Sequence, residues 1–175
     1  MQSLEEIIAG CKKGKQYAQK LLFERFADKM FGVCMYYARD NEEAEDVLHD
    51  GFIRIFENID KYQDGNFEAW MKKIFINLSL MQYRRNKRIH LVEDISEISE
   101  FENNTYLEKP MQYDELILMV RELPPQYQLV FNLYAIEGYM HKEIAIMLNI
   151  DEGTSKSNLA RARKILQAKL KTNLV

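Results

Sequence analysis

Residues 143–166 read EIAIMLNIDEGTSKSNLARARKIL. The first part continues a helix, HKEIAIMLN from His141, with Ile144, Ala145 and Leu148 inward. NIDEG then makes a turn, and Thr154, whose hydroxyl can accept an early backbone N–H, is expected to cap a second helix. Along that helix Leu159, Ala162, Leu166 and Leu170 recur at the spacing of a buried stripe. At about 100° per residue, Ser157, Arg161, Lys164 and Ala168 point away from it, with Lys156 and Asn158 on its flanks. A short helix, a tight turn and a basic second helix form a helix-turn-helix unit, whose second helix enters the major groove N-terminus first. Lys and Arg can read guanine and Asn can read adenine, each good bidentate pair discriminating by about 1–3 kcal/mol. The competing interpretation is a helical hairpin with a solvated basic face; the cap, the turn length and the clustered bases favour DNA.

Such a helix is unexpected in a 175-residue chain with a net charge of −3. The charge is unevenly spread. Residues 1–90 carry 15 basic and 14 acidic side chains, residues 91–120 one and eight, and residues 121–175 eight and five. Two mildly basic regions therefore flank an acidic insert, a pattern that suggests nucleic-acid contact. The insert, LVEDISEISEFENNTYLEKPMQY, has no clean hydrophobic period and is expected to be a flexible linker over 91–111. Beyond it, helices are expected over about 112–122, 125–137, 141–148 and 154–172. Pro124 and Pro125 separate the first two, and Gly138 ends the second.

Upstream of the linker the chain reads as helix throughout. SLEEIIAGCKKG is short and amphipathic, with Gly14 as its stop. A long helix from Gln16 to Arg39 places Leu22, Phe26, Met30 and Val33 on one side. RDNEEAEDVLHDGFIRIFENI begins with Asp40 or Asn41 as N-cap and acids in its first turn, where the helix dipole favours them. On this helix Ala44, Val47, Leu48, Phe52, Ile55 and Ile59 face inward. Glu42, Asp46, His49, Asp50, Ile53 and Glu57 face outward, an acidic stripe with one isoleucine. It suits a basic, partly apolar protein partner; a solvated acidic face is the alternative.

KYQDGN is a turn by composition. A helix from Phe67 to about Arg88 then places Phe67, Trp70, Met71, Ile74, Leu78 and Met81 on its buried face. Lys73, Asn77, Leu80 and Arg84 make a flanking stripe. Cations beside aromatic rings suit single-stranded nucleic acid, the cations holding phosphate and the rings receiving unstacked bases. Phe67 is expected to be mainly core and Tyr62 the freer ring.

Other chemistries find little support. Asp46 and His49 stand at i, i+3, like half of a di-iron carboxylate site, but no second such pair follows. Cys11 and Cys34 lack metal or redox spacing and are expected to be packing residues. No nucleophile–base pair and no Gly-rich phosphate loop occurs, so neither an enzyme nor a cofactor is expected. The start of the chain lacks the apolar core of a signal peptide, and no segment approaches the roughly 20 apolar residues of a membrane span. A cytoplasmic protein without direct membrane insertion is expected.

Three segments together resemble the extracytoplasmic-function (ECF) sigma factors, small bacterial initiation subunits of RNA polymerase. AEDVLHDGFIRIF (44–56) looks like that family's acidic clamp-binding helix. FEAWMKKIFINLSLMQYRR (67–85) is similar to its promoter-melting helix. LPPQYQLVFNLYAIEGYMHKEIAIMLNIDEGTSKSNLARARKIL (123–166) follows its C-terminal domain almost throughout. The resemblance covers nearly all the chain and keeps the family's order.

It implies an all-α chain of two helical domains: a sigma-2-like domain over 1–90, an acidic flexible linker over 91–111, and a sigma-4-like helix-turn-helix domain over 112–175. It implies that Asp46, His49, Asp50, Phe52 and Ile53 dock core RNA polymerase. Residues Tyr62 to Asn66 would capture a flipped base of the promoter −10 element, and Trp70, Lys73, Asn77, Arg84 and Arg85 would line that strand. Lys156, Ser157, Asn158, Ala160 and Arg161 would read the −35 element. The linker would thread toward the RNA path. Promoter DNA, core polymerase and an anti-sigma factor are the implied partners, with no small-molecule substrate. The chain departs from the family at His49-Asp50, where Gln-Glu is frequent, at Ser155, commonly Val, and at Asn158, where Arg is frequent. A conventional helix-turn-helix regulator with a dimerising N-terminal lobe is the competing expectation; it explains the C-terminus but neither N-terminal stripe.

Overall fold

A computed structural model describes residues 2–92 and 114–173, the side chains of 87–92, 114–116 and 171–173 excepted. The expected linker lies outside the described residues except for its first two positions, which extend a helix. Every regular element among the described residues is helical, and the chain divides into two compact units, one on each side of residue 96.

The first unit opens with α1 (Leu4–Lys12). The Ser3 hydroxyl accepts from the Glu6 amide, and the Glu6 carboxylate accepts from the Ser3 amide, a reciprocal cap at the helix start. Next comes α2 (Gln16–Met35), which buries Leu22, Phe26, Met30 and Val33 as expected but stops four residues before Arg39. Tyr37 and Ala38 follow it as buried, non-helical residues, so the chain turns inward there. The third helix, α3 (Asn41–Asn58), is capped by Asp40, whose Oδ1 accepts from the Glu43 amide at 2.8 Å. A 3₁₀ turn (Ile59–Lys61) and the loop to Asn66 lead into α4 (Phe67–Val92). Helices α2, α3 and α4 pack on one another around Leu22, Met30, Ile55, Met71 and Phe75, all fully buried, and α1 covers α2.

On α4 the buried face differs from expectation at two places. Met81 is exposed, whereas Leu80, expected beside the cations, is buried. Leu80 stands one turn after Ile76, which is also buried, so the two share a ridge. Cys11 and Cys34 are both buried, the packing role expected of them.

The second unit contains α5 (Asp114–Arg121), α6 (Pro125–Phe131), α7 (His141–Leu148) and α8 (Glu152–Asn173). Pro125 occupies the first position of α6, where its missing N–H costs nothing. The helix then widens over Asn132–Ile136, the Glu137 amide bonding the Asn132 carbonyl five residues back at 3.0 Å. Met119 and Val120 of α5, with Leu123 just after it, pack on Ala162 and Leu166 of α8. The turn of the helix-turn-helix is shorter than expected. Asn149 ends α7 in the left-handed conformation (φ 54°), and the Asp151 carbonyl already accepts from Ser155 at 3.0 Å. Thr154 is therefore the third residue of α8 and not its cap. Leu170, expected to be buried, is exposed.

Candidate functional site

Three surfaces carry the candidate residues, two on the first unit and one on the second. On α3 the outward stripe stands as expected: Glu42, Asp46, His49, Asp50, Ile53 and Glu57 are all exposed, Ile53 at 55%. Among the described residues none of its four carboxylates is in an ion pair. Phe52 is a correction. It is 3% exposed, with its ring 4.8 Å from that of Phe23 and 5.5 Å from that of Phe75, so it supports the stripe from below and cannot touch a partner. Among the described residues no cluster of His, Cys, Asp or Glu could hold a metal ion.

The second surface lies where the 59–66 segment meets α4. Phe67 is buried, and Tyr62 and Trp70 both pack on it, with ring centroids 4.9 and 5.5 Å away. Tyr62 is half-buried, the freer of the two rings as expected, and is nonetheless held in place. Its hydroxyl donates to the Gly65 carbonyl at 2.6 Å, closing the loop on itself. Gly65 has φ +106°, a conformation that side chains disfavour. The Asn66 side chain accepts from the Ala69 amide at 3.0 Å and so caps α4. Lys73, Asn77, Arg84 and Arg85 are all exposed along α4.

Beside Trp70 an open groove of ≈ 290 Å³ runs between α3 and α4, lined also by Arg54, Asn58, Lys61, Asn77 and Met81. Sequence reasoning placed only Trp70 and Asn77 there. The signal for Arg54, Asn58 and Lys61 was their i, i+4, i+7 spacing, which puts them on one edge of α3 and the 3₁₀ turn that follows it. Lys61 Nζ donates to Asn58 Oδ1 at 2.6 Å, and Asn58 Nδ2 donates to the Arg54 carbonyl at 2.9 Å, so this edge is already ordered.

On α8, Lys156, Ser157, Ala160 and Arg161 are exposed, and so are Thr154, Arg163 and Lys164. Asn158 is the second correction. At 4% exposure it lies inside the helix-turn-helix and presents nothing to a base edge. Ser155 is fully buried, its Oγ 2.9 Å from Nδ1 of His141, which ties the start of α7 to the first turn of α8. The His141 ring stacks on Tyr134 at 4.5 Å, and the Arg163 guanidinium lies 5.7 Å from the Tyr134 centroid. Arg161 is held in the same way over Tyr127, at 6.0 Å, with Nη1 3.4 Å from the phenol oxygen. Two arginines of α8 are thus ordered by tyrosines of α6 and its widened continuation, a feature missed from sequence. Lys156 pairs with Glu152 at 2.6 Å; that hydrogen bond and charge hold the Glu152 carboxyl below its usual range.

The comparisons with known proteins agree with this arrangement. The Sigma-70 region 2 family matches residues 22–89, and the Sigma-70 region 4 family matches residues 113–166. The ECF RNA polymerase sigma factor SigE of Mycolicibacterium smegmatis is 31% identical over 83% of this chain, which spans 59% of that longer relative. SigW of Bacillus subtilis, another ECF RNA polymerase sigma factor, is 26% identical over 96% of this chain and 97% of its own length. In fold, the chain is similar to the sigma factor RpoE of Bartonella quintana, solved with the anti-sigma factor NepR, at 20% identity and a TM-score of 0.60. That likeness covers 87% of this chain and 96% of RpoE. It is also similar to CnrH, solved with the cytosolic domain of CnrY, at 21% identity and a TM-score of 0.52, covering 95% of this chain and 96% of CnrH. No described helix is long and apolar enough to cross a membrane. With the acidic stripe on one helical unit, the basic second helix on the other, and both family regions matched in order, this chain belongs to the ECF sigma factors, which are transcription initiation factors.

Proposed function

We propose that this chain directs core RNA polymerase to particular promoters by dividing the work among its three surfaces. The α3 stripe of Asp46, His49, Asp50 and Ile53 docks the polymerase. Its carboxylates supply long-range attraction to a basic partner, and Ile53 supplies apolar area at the centre of the contact. The α8 face of Lys156, Ser157, Ala160 and Arg161 holds −35 duplex. The loop from Tyr62 to Asn66, with Trp70, Lys73, Asn77, Arg84 and Arg85, holds the opened −10 strand. Extracting a base from the stack costs a few kcal/mol, which contacts in the receiving site must offset. A preformed loop beside an ordered basic groove suits that requirement, because little ordering remains to be done on binding.

The observation that carries the proposal is the separation of charge. An exposed acidic stripe lies on one helix, while exposed cations lie along α4 and, over tyrosine rings, on α8. A DNA-binding protein that acted alone would have no use for the first. The residue ranges 1–90, 91–111 and 112–175 are the corresponding functional divisions. An anti-sigma factor that covers these surfaces is the partner expected to restrain the chain.

The test combines co-purification with run-off transcription. The wild-type chain is expected to bind core polymerase and to start transcripts at defined sites, and to bind duplex DNA only weakly alone. Asp46→Lys with Asp50→Lys should abolish the association and leave the circular dichroism spectrum unchanged. If the doubly reversed protein still assembles with core polymerase, the docking face lies elsewhere. If the wild-type chain ignores polymerase and dimerises on a palindrome, it acts as a conventional helix-turn-helix regulator.

A further inference from the structure

The loop proposed to receive the −10 base is tied to α1, a helix to which none of the three surfaces assigns a role. Lys12, in the last turn of α1, donates from Nζ to the Tyr62 carbonyl at 2.7 Å, across 50 residues of sequence. The same ammonium lies 5.9 Å from the centroid of the Tyr62 ring. Its charge therefore meets both the carbonyl dipole and the negative ring face of one residue. The other described hydrogen bonds of the loop are local. The Tyr62 amide reaches Ile59, the Tyr62 hydroxyl reaches Gly65, and Asn66 accepts from the Ala69 and Trp70 amides. Those bonds set the internal shape of the loop. Among the described bonds of residues 62–66, only the one from Lys12 reaches beyond the elements that flank the loop in sequence, and so fixes the carbonyl side of the loop to the body of the unit.

We propose that Lys12 is a positioning residue for capture of the −10 strand: it holds Tyr62, and through Tyr62 the loop to Asn66, in the receiving geometry before DNA arrives. The inference rests on the reading of that loop given under Proposed function. The neighbouring lysines do not share the role. Lys15 lies over Tyr17 at 5.8 Å, and no described bond joins Lys13 or Lys15 to the loop. A methionine at position 12 keeps the length and most of the apolar stem of lysine but has no donor, so Lys12→Met removes the tether alone. Lys12→Arg restores a cationic donor.

The first arm of the experiment uses the free, full-length protein. Lys12→Met should raise amide hydrogen exchange at residues 63–66 by about tenfold, leave the amides of α2 and α3 unchanged, and shift the melting midpoint little. Equal exchange in both proteins overturns the tether, whatever the function of the loop. The second arm uses the complex with core polymerase and a single-stranded oligonucleotide carrying the −10 sequence mapped by run-off transcription. There Lys12→Met should weaken binding by about tenfold through lost preorganisation, and Lys12→Arg should recover most of it. The dependence on salt separates positioning from direct contact. A lysine touching phosphate would lower the log–log slope by about 0.7 when removed, and such a drop overturns the positioning role. If wild-type complex does not bind the oligonucleotide, the function assigned to the loop falls and takes the positioning role with it. If wild-type and Lys12→Met bind it equally, only the role of Lys12 falls.

Discussion

Asn86, toward the end of α4, donates from its side-chain amide to Oε1 of Glu43 at 2.6 Å, joining α4 to the first turn of α3. The other carboxylate oxygen of Glu43 accepts from the Arg39 amide at 2.7 Å and from Arg39 Nε at 3.3 Å. Glu43 is 8% exposed, and its buried carboxylate is matched by donors from three directions. Glu43→Ala should cost about 1–3 kcal/mol, because it removes the one acceptor that these donors share. Asn86→Ala removes one neutral donor and should cost about 1 kcal/mol. Urea unfolding of the two single variants and the double checks this. A double variant no worse than Glu43→Ala is the expected coupling.

Glycine substitutions at two helical positions should act in opposite directions. A Cβ on Gly51 would lie 2.0 Å from Cε1 of Phe75, a fully buried ring, so α3 and α4 touch at this point because residue 51 has no side chain. Gly51→Ala gains about 1 kcal/mol of helix propensity but forces a rigid ring to move, at about 1–3 kcal/mol or more. Net destabilisation is expected. Nothing lies within 4 Å of a Cβ on Gly32 of α2, so Gly32→Ala should stabilise by about 0.5–1 kcal/mol. Opposite shifts in thermal midpoint confirm the pair; two shifts of the same sign refute it.

The helices were legible because their apolar residues recur at a clean period. Leu22, Phe26, Met30 and Val33, or Ala44, Val47, Leu48 and Ile55, need only a count of three and four to be placed in the core. Individual site residues were harder to place for two physical reasons. Resemblance transfers a whole helix and not a face, which is how Phe52 became a docking residue although its own spacing puts it inward. Buried polar residues are also hidden by their type. Ser155 and Asn158 continue the stripe of Leu159, Ala162 and Leu166 at i, i+3, i+4, i+7 and i+11, yet the chemistry of Asn158 suggested a surface. Glu43 escaped notice in the same way within a run of exposed acids. The Tyr62–Gly65 and Lys12–Tyr62 bonds depend on loop geometry, which no hydrophobic period encodes.

Cys34 makes stability fall in alkali. Burial pushes its thiol up to about 12 from an ordinary value of 9.0. The folded chain therefore keeps this proton through a window in which the unfolded chain has lost it. The contribution is fully present below about pH 9 and is lost as pH rises toward 12. Urea midpoints measured near neutrality and at about pH 10 should decline, and Cys34→Ala should flatten that decline. Alkylation of the native protein should be slow, since little thiolate exists to react. An identical pH slope in the alanine variant would refute the assignment.

The recognition helix should separate fold from readout at neighbouring residues. Arg161 is exposed, and Tyr127 steers its guanidinium from below, so Arg161→Ala removes a cation already aimed outward. Its loss should weaken binding of the polymerase complex to −35 duplex by about 1–3 kcal/mol and leave thermal stability within about 0.5 kcal/mol. Tyr127→Phe keeps the ring beneath the guanidinium but removes the 3.4 Å contact with the phenol oxygen, so a smaller loss in the same direction is expected. Asn158 behaves in the reverse manner. Buried beside Leu159 and Ala162, it can reach no base, and Asn158→Ala should lower stability by about 1 kcal/mol while preserving the ratio of specific to non-specific DNA affinity. Competition binding on −35 duplexes, read beside melting curves of the same variants, distinguishes the two. A changed base preference in Asn158→Ala would mean that α8 meets DNA through a different face.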